Sequence, residues 1–192
     1  GRVGNIMIDS LEMMRPRIMA ENAFAKYGLK PGSYGVVTLH RPSNVDDPAQ
    51  LDALLDALGH VARRLPLVFP VHPRTRERLG ARRCPANLRL VDAQGYLAFL
   101  QLMDHARLVL TDSGGIQEEA PSLRVPVLIA RETTERPEVL ESGWGVLVGT
   151  DPDRILRESR LLLHDEDAYR ARCSGPNPFG DGRAARRIVD VL

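Results

Sequence analysis

The chain has 192 residues, a length that suits one domain with a substantial core or two small domains. Its 26 Lys and Arg residues and 25 Asp and Glu residues give a formal net charge of +1, which points to neither nucleic acid nor a membrane surface as a partner. The 2 cysteines, Cys84 and Cys173, lack CxxC spacing, so neither a zinc site nor a disulfide framework is indicated. No signal-peptide pattern and no apolar run long enough to span a bilayer is seen, and a cytoplasmic location is the default expectation.

Apolar runs rich in β-branched residues alternate with helical patterns along most of the chain. Residues 1–27 are predicted to be mostly helical, and a second helix is predicted over 182–192, after a loop at 175–181. Between these ends the pattern predicts six strands, at 34–39, 67–71, 88–91, 108–110, 127–129 and 145–148. The intervening helices are predicted to begin near Pro48, Thr75, Gly95, Gly115 and Arg136. Such alternation predicts an α/β fold, a parallel sheet with helices on both faces, whose ligands bind at the carboxyl ends of the strands.

The helix predicted from Pro48 has a clear start signal. Asp46 and Asp47 precede a proline in the first turn, a position where proline loses no hydrogen bond and an acidic side chain can cap the helix. Leucines then recur at helical spacing, which predicts a buried face formed by Leu51, Leu54, Leu55 and Leu58.

The most informative motif is a glycine turn that follows the strand at 108–110. Ser113, Gly114 and Gly115 open a helix there, and the backbone N–H groups of its first turn are unpaired at the positive end of the helix dipole. Such a turn can seat a phosphate. Glu119, one turn further on, is placed to reach hydroxyls on the molecule that carries the phosphate. The simpler alternative is a structural glycine turn with a capping serine.

Two histidines follow neighbouring strands in the predicted order. His40 and Arg41 can face one anion, the arginine as a forked donor and the histidine as a donor or proton shuttle. His72 is followed by Pro73 and Arg74 in a similar arrangement, but His-Pro after a strand is equally ordinary turn chemistry.

A dense polar loop covers residues 131–138. It follows a buried strand and precedes a helix, so we expect Thr133 and Thr134 to cap and Glu135 and Arg136 to project into the cleft. Arg136 is then a candidate contact for a diphosphate or a sugar.

Two aromatic residues, Tyr96 and Phe99, lie on the helix before the glycine turn. One of them could flank a base, but helical spacing alone favours a place in the core for both.

Four motifs in this order resemble the non-hydrolysing UDP-N-acetylglucosamine 2-epimerases. The similarity extends from Gly4-Asn5 and Ile8-Asp9 to residues 180–185. The four motifs are His40-Arg41, His72-Pro73, Thr111-Asp112-Ser113-Gly114-Gly115-Ile116-Gln117-Glu118-Glu119-Ala120-Pro121 and Thr133-Thr134-Glu135-Arg136-Pro137-Glu138.

The resemblance implies a fold and a domain plan. Members have two Rossmann-like domains in the GT-B arrangement, and this chain corresponds to the C-terminal, UDP-binding half. The implied plan is a helical approach and interdomain crossover at 1–30, a Rossmann-like domain at 31–174, and a loop with a C-terminal helix at 175–192. The N-terminal domain is then a missing partner, and the full-length protein is expected to be a homodimer.

The resemblance also implies a reaction, the interconversion of UDP-GlcNAc and UDP-ManNAc by elimination and re-addition of UDP. This isomerase chemistry needs neither a metal nor another cofactor, and it belongs to cell-surface polysaccharide biosynthesis. The carboxylates for proton chemistry at C-2, one aspartate and two glutamates, lie in the N-terminal domain. The half represented here is therefore expected to be inactive alone.

Family likeness assigns roles to seven residues of this chain. The catalytic pair implied is His40 and Arg136, which face the diphosphate and sugar. The UDP and substrate contacts implied are Ser113, Gly114 and Gly115 at the diphosphate, Glu119 at the ribose, Phe99 beside the uracil, and Arg136. Arg41, as the forked donor beside His40, is the further expected UDP or substrate contact.

One motif departs from the family pattern. Many bacterial members read His-Arg-Arg-Glu-Asn where this chain has His40-Arg41-Pro42-Ser43-Asn44. Without that glutamate the second, activating UDP-GlcNAc site of some members is in doubt, and the argument for His72 weakens with it. Two other functions stay open: the nucleotide-sugar domain of a GT-B glycosyltransferase, against which the 133–138 loop argues, and a UDP-binding module without activity.

Overall fold

The computed structural model describes residues 3–191. Within this range six strands form one parallel sheet in the order β3-β2-β1-β4-β5-β6. They are β1 Gly35–Thr38, β2 Leu67–Val71, β3 Leu88–Asp92, β4 Leu108–Thr111, β5 Val127–Ile129 and β6 Gly145–Leu147. All six predicted strands are confirmed, and every predicted end lies within one residue of the observed end.

Ten α-helices lie between and beside the strands in the part of the chain that the structure describes. They are α1 Ile6–Ala20, α2 Pro42–Val45, α3 Pro48–Ala62, α4 Pro73–Leu79, α5 Tyr96–Asp104, α6 Gly114–Glu119, α7 Pro137–Glu141, α8 Pro152–His164, α9 Glu166–Ala171 and α10 Ala184–Val189. The five predicted helix starts are confirmed to within two residues. Sequence patterns identified neither α2 nor the pair α8 and α9, although Asp151 caps α8 ahead of a proline, the same signal that marks α3.

The start of α3 follows its sequence signal. The carboxylate of Asp47 accepts a hydrogen bond from the backbone N–H of Ala49 at 3.0 Å, and Pro48 occupies the first turn. All four leucines predicted for the inner face are buried, namely Leu51, Leu54, Leu55 and Leu58. Each contributes about 1.5–3 kcal/mol through burial.

Side chains of the central strands alternate between two hydrophobic cores, one on each face of the sheet. On β1, Val37 packs with the face that carries α3 and α8, whereas Val36 packs with the face that carries α1 and α5. Phe69 and Val68 on β2 divide in the same way. A strand buried on both faces reads as a continuous apolar run, which is why these strands were visible in the sequence. The predicted α/β, Rossmann-like fold with helices on both faces is confirmed.

The two ends of the described chain are joined. The carboxylate of Asp9 on α1 accepts hydrogen bonds from the backbone N–H groups of Ala184 and Ala185 at the start of α10, at 2.9 and 2.7 Å. The N–H of Asn5 donates to the carbonyl of Phe179 at 2.7 Å. The division at 1–30, 31–174 and 175–192 stays a prediction, and residues 1, 2 and 192 of these segments lie outside the described residues.

Over residues 3–191, no helix is both long and apolar enough to cross a membrane. The same residues include no group of three or more His, Cys, Asp or Glu side chains that could hold a metal ion.

Candidate functional site

The candidate site lies between β1 and β4, where the strand order reverses direction. Connections from β1 lead toward β2 on one side, and β4 leads toward β5 on the other, which opens a crevice at the carboxyl ends of this pair. Thr38 and Thr111 are register partners there, and their hydroxyl oxygens are 2.7 Å apart. The residues that follow these two threonines therefore meet at one edge of the sheet.

Asp112, directly after β4, is fully buried at that edge. Its Oδ2 accepts three hydrogen bonds, from the backbone N–H of His40 at 3.0 Å, the backbone N–H of Arg41 at 2.9 Å and the side-chain amide of Asn44 at 3.0 Å. Asn44 also donates to the carbonyl of Ala130 after β5. One carboxylate thus holds the loop after β1 against the ends of β4 and β5.

The second oxygen of Asp112 faces the His40 ring. Oδ1 lies 3.0 Å from Nδ1 of His40 and has no other hydrogen-bond partner, although it is buried. A buried carboxylate oxygen without a donor is costly, and a protonated Nδ1, with the ring rotated to direct its N–H at Oδ1, satisfies it. Nε2 is then left for a ligand in the crevice.

This pair shifts two pKa values in opposite directions. The hydrogen bond to Asp112 raises the pKa of His40 above its ordinary value, against the smaller effects of burial and of Arg41. Burial alone raises the pKa of Asp112, but donors from the His40 ring and from the backbone of Arg41 and His40 outweigh it, and the net shift is downward. The site therefore favours an imidazolium held by a carboxylate.

The glycine turn lies at the start of α6. Ser113 occupies the N-cap position in an extended conformation, but its side chain makes no capping hydrogen bond, so that part of the structural alternative was wrong. Above Gly115 the space is open, since an added Cβ would meet only the Ser113 hydroxyl at 4.0 Å. The N–H groups of the first turn have no partner within the helix by its geometry.

Arg136 lies directly over this turn. A Cβ on Gly114 would be 3.2 Å from Cζ of Arg136, so the absence of a side chain is what allows the guanidinium to approach. Nε of Arg136 donates to Oε1 of Glu118 at 2.7 Å. The structure therefore brings Arg136 next to the glycine turn, although α6 and β5 lie between them in the sequence.

His40, Phe99 and Ser113 line one small cleft of about 180 Å³. Phe99 is half-buried and packs at the edge of the core below it. His72 also lines this cleft, with its ring centroid 5.7 Å from that of His40. Three of the predicted site residues thus share a single cavity.

Tyr96 lies at the surface, 43% exposed, so the expectation from helical spacing that it belongs to the core was wrong. Its hydroxyl donates to Oε1 of Glu119 at 2.8 Å, a contact that helical spacing does not reveal. Glu119 is buried, and burial raises its pKa despite the Tyr96 hydroxyl. A buried carboxylate with a single side-chain donor can accept further hydroxyl groups.

Arg41 lies apart from the cleft that His40 lines. Its Nε donates to the carbonyl of Asp112 at 3.0 Å, and its guanidinium lines a neighbouring cavity of about 370 Å³, 3.6 Å from Glu135. Arg131 also binds Glu135 with both terminal nitrogens. The sequence predicted that Arg41 and His40 face the same anion, but in the structure their side chains line different cavities.

The hydrogen bonds of the loop before α7 differ from those predicted. Arg136 occupies the capping position of α7 without a side-chain cap, so the predicted capping by Thr133 and Thr134 was wrong. Thr134 instead accepts the backbone N–H of Arg136 and donates to the side chain of Gln117 on α6. Thr133 is exposed.

Sequence reasoning gave no role to Asp112 or Glu118. The signal for Asp112 was present, because a polar residue directly after a buried strand lies at the edge where ligands bind. The sequence does not reveal the register between β1 and β4, and this register places Asp112 beside the loop that carries His40.

The fold defines a class, a Rossmann-like half of a GT-B arrangement. The family described as UDP-N-acetylglucosamine 2-epimerase matches residues 2–192. The chain is 41% identical to the UDP-N-acetylglucosamine 2-epimerase of Escherichia coli K12 over 98% of its length, and 33% identical to that of Methanocaldococcus jannaschii over 99%. The chain belongs to this family, as the motifs predicted.

Solved structures of family members have the same fold as this chain. The Neisseria meningitidis UDP-GlcNAc 2-epimerase bound to UDP-GlcNAc superimposes with a TM-score of 0.85 at 31% identity, covering 99% of this chain and 54% of that one. The M. jannaschii enzyme in complex with UDP-GlcNAc and UDP gives 0.84 at 32% identity, covering 99% and 53%. The chain spans about half the length of the relatives it matches, 53% in both curated cases.

Proposed function

We propose that this chain is the UDP-binding half of a UDP-N-acetylglucosamine 2-epimerase. The observation that carries the proposal is the convergence of donors at the β1–β4 crevice, where His40, held by Asp112, and Arg136, held over Gly114, flank the open glycine turn. These are the donors that a diphosphate requires. Two related enzymes were solved with UDP-GlcNAc bound, one of them also with UDP, which supports the same ligand here.

The proposed ligand contacts combine the roles that the family resemblance implies with the positions of these residues. Ser113, Gly114 and Gly115 receive the diphosphate on backbone N–H groups, and Arg136 reaches it from above. Glu119 accepts the ribose hydroxyls in place of the Tyr96 hydroxyl, and Phe99 packs beside the uracil. Arg41 contributes through its tie to Asp112 and through the positive charge it adds at the crevice.

The proposed reaction is an elimination followed by re-addition. A base removes the C-2 proton, the C1–O bond breaks, and the bonding electrons leave with UDP; the reverse addition returns UDP and delivers a proton to the other face of C-2. Negative charge grows on the leaving diphosphate as the bond breaks. A protonated His40 and Arg136 stabilise that charge more in the transition state than in the ground state, which accelerates the step.

The groups for C-2 proton transfer are proposed to belong to the half of the enzyme that this chain does not span. The homodimer, the cytoplasmic location and the role in cell-surface polysaccharide synthesis stay predictions. A glycosyltransferase is the competing function: the structure of the glycotransferase of kitacinnamycin shares the fold at a TM-score of 0.60, but its 17% identity shows the fold alone.

Two measurements on the chain test the proposal. Calorimetry with UDP should give one saturable site, and incubation with UDP-GlcNAc in D₂O should give no exchange at C-2. The same assay on the full-length protein should show exchange. Exchange catalysed by the purified, contaminant-free chain would contradict the assignment of the proton-transfer groups to the other half.

A further inference from the structure

Glu118 is a buried carboxylate on α6 with no place in the ligand contacts above. It is 8% exposed, and three side-chain donors from separate parts of the chain bind the residue. Oε1 accepts from Nε of Arg136 at 2.7 Å, and Oε2 accepts from the side-chain amide of Asn5 at 2.8 Å. Its backbone carbonyl accepts from the side-chain amide of Asn177 at 3.0 Å.

The amide of Asn5 is itself fixed in orientation. Its Oδ1 caps α1 by accepting the backbone N–H of Met7 at 2.9 Å, so Nδ2 is the group that remains for Glu118. The backbone N–H of Asn5 donates to Phe179. Oε2 of Glu118 is therefore held by a donor whose own position is set by the fold, and Oε1 is left to bind Arg136.

This arrangement determines how Arg136 presents its charge. Glu118 engages only Nε, and the nearest other carboxylate, on Glu135, is 4.0 Å from Nη1. Nη1 lies at the glycine turn, 3.5 Å from where a Cβ on Gly114 would stand, so this end of the guanidinium faces the turn. An arginine side chain has many rotamers, and fixing it before a ligand arrives reduces the entropy lost on binding.

We propose that Glu118 is a positioning residue that orients Arg136 toward the anion seat and ties this orientation to Asn5 at the start of α1. The inference rests on the proposed UDP site for its effect on affinity. The orientation of Arg136 itself depends on no ligand. These two parts can be tested separately.

The primary test is Glu118→Gln, which keeps the shape of the side chain and removes its charge. Without ligand, the Nε–H resonance of Arg136 should be resolved and slow to exchange in the parent and should lose that protection in the variant. With ligand, the Kd for UDP should rise about tenfold, while the Kd for uridine, which has no phosphate, stays unchanged. In an Arg136→Ala background the same substitution should cause no further loss.

A second variant keeps the test decisive if Glu118→Gln folds poorly. Asn5→Asp retains the oxygen that caps α1 but replaces the amide donor with a carboxylate oxygen facing Glu118. The UDP Kd should rise about threefold through charge repulsion that disturbs Glu118, again without effect on uridine. Glu132→Gln is the matched control, since it removes the same charge from the loop before Arg136, and UDP affinity should stay within about twofold.

The outcomes separate the two claims. An unchanged Arg136 Nε–H signal in Glu118→Gln, or equal weakening of UDP and uridine, overturns the positioning role. A parent chain that shows the protected Nε–H signal but binds no UDP contradicts the proposed function and leaves the orienting contact confirmed.

Discussion

Nδ1 of His40 lies 3.0 Å from Oδ1 of Asp112, a carboxylate that is completely buried at the end of β4. The other oxygen of Asp112 is fully engaged by backbone and amide donors of the loop that carries His40. The aspartate therefore fixes the position of the loop and raises the pKa of the ring. A histidine on a strand-end loop is made easier to protonate by the residue beside it on the neighbouring strand.

Replacing Asp112 with Asn should lower the pKa of His40, because the contact that raises it is lost. In the parent, UDP binding should be strongest below the raised pKa of His40 and should weaken as pH rises through it. In Asp112→Asn that weakening should begin at lower pH. NMR titration of the His40 ring and calorimetry across pH measure both effects.

The same substitution should also change how the free energy of unfolding depends on pH. His40, whose folded pKa is raised from 6.5, stabilises the fold below pH 6.5, and this contribution disappears as pH rises through the folded value. Asp112, whose folded pKa is lowered from 3.8, stabilises it above that pH and loses its contribution as pH falls. His60→Gln, at an exposed position on α3, controls for background histidine titration. An unshifted His40 titration in Asp112→Asn would refute the coupling.

Glu119→Ala should weaken UDP more than it weakens inorganic pyrophosphate, which has no ribose. Each charge-assisted hydrogen bond to a ribose hydroxyl contributes about 1.5–3 kcal/mol, or roughly 10- to 150-fold in Kd. Tyr96→Phe is the matched variant, because it removes the hydroxyl that binds Glu119 in the free chain and keeps the carboxylate. It should retain or improve UDP affinity. Equal weakening of UDP and pyrophosphate by Glu119→Ala would assign Glu119 a structural role.

Gly114→Ala should weaken UDP binding by displacing Arg136. The added methyl would lie 3.2 Å from Cζ of Arg136, which is shorter than an ordinary van der Waals contact. The guanidinium would therefore have to shift away from the turn by a few tenths of an ångström. We expect a Kd increase of about tenfold with little change in the free energy of unfolding. Gly95→Ala, where an added Cβ meets nothing within 4 Å, is the control and should bind UDP as the parent does. Parental affinity in Gly114→Ala would contradict the close approach of Arg136.

Arg124→Gly should stabilise the fold. Arg124 has a φ of 58°, and among the described residues it is the one non-glycine residue with positive φ. A left-handed conformation costs a side-chain-bearing residue about 1–2 kcal/mol, part of which is offset by the greater freedom of glycine in the unfolded chain. We expect a gain of about 1 kcal/mol by urea denaturation. Arg124→Ala loses the same side chain and keeps the strain, so a comparable gain there would locate the effect in the side chain.

The sequence predicted the strands well because each central strand is buried on both faces and reads as an uninterrupted apolar run. The start of α3 was visible from Asp47 and Pro48, and the same reasoning applied to Asp151 and Pro152 finds α8. The pairing of Asp112 with His40 could not be read, because it depends on β1 and β4 being neighbours in register, a relationship between distant segments. The approach of Arg136 to Gly114 and the surface position of Tyr96 depend on such tertiary contacts as well.

A titration of the labelled chain with UDP, followed residue by residue by NMR, tests the nucleotide site most directly. UDP at the β1–β4 crevice should give one saturable site, with the largest shifts at Ser113, Gly115 and Glu119 and at the His40 ring. Absence of saturation, or shifts confined to the neighbouring cavity around Arg41 and Arg131, would contradict the placement of the nucleotide at the β1–β4 crevice.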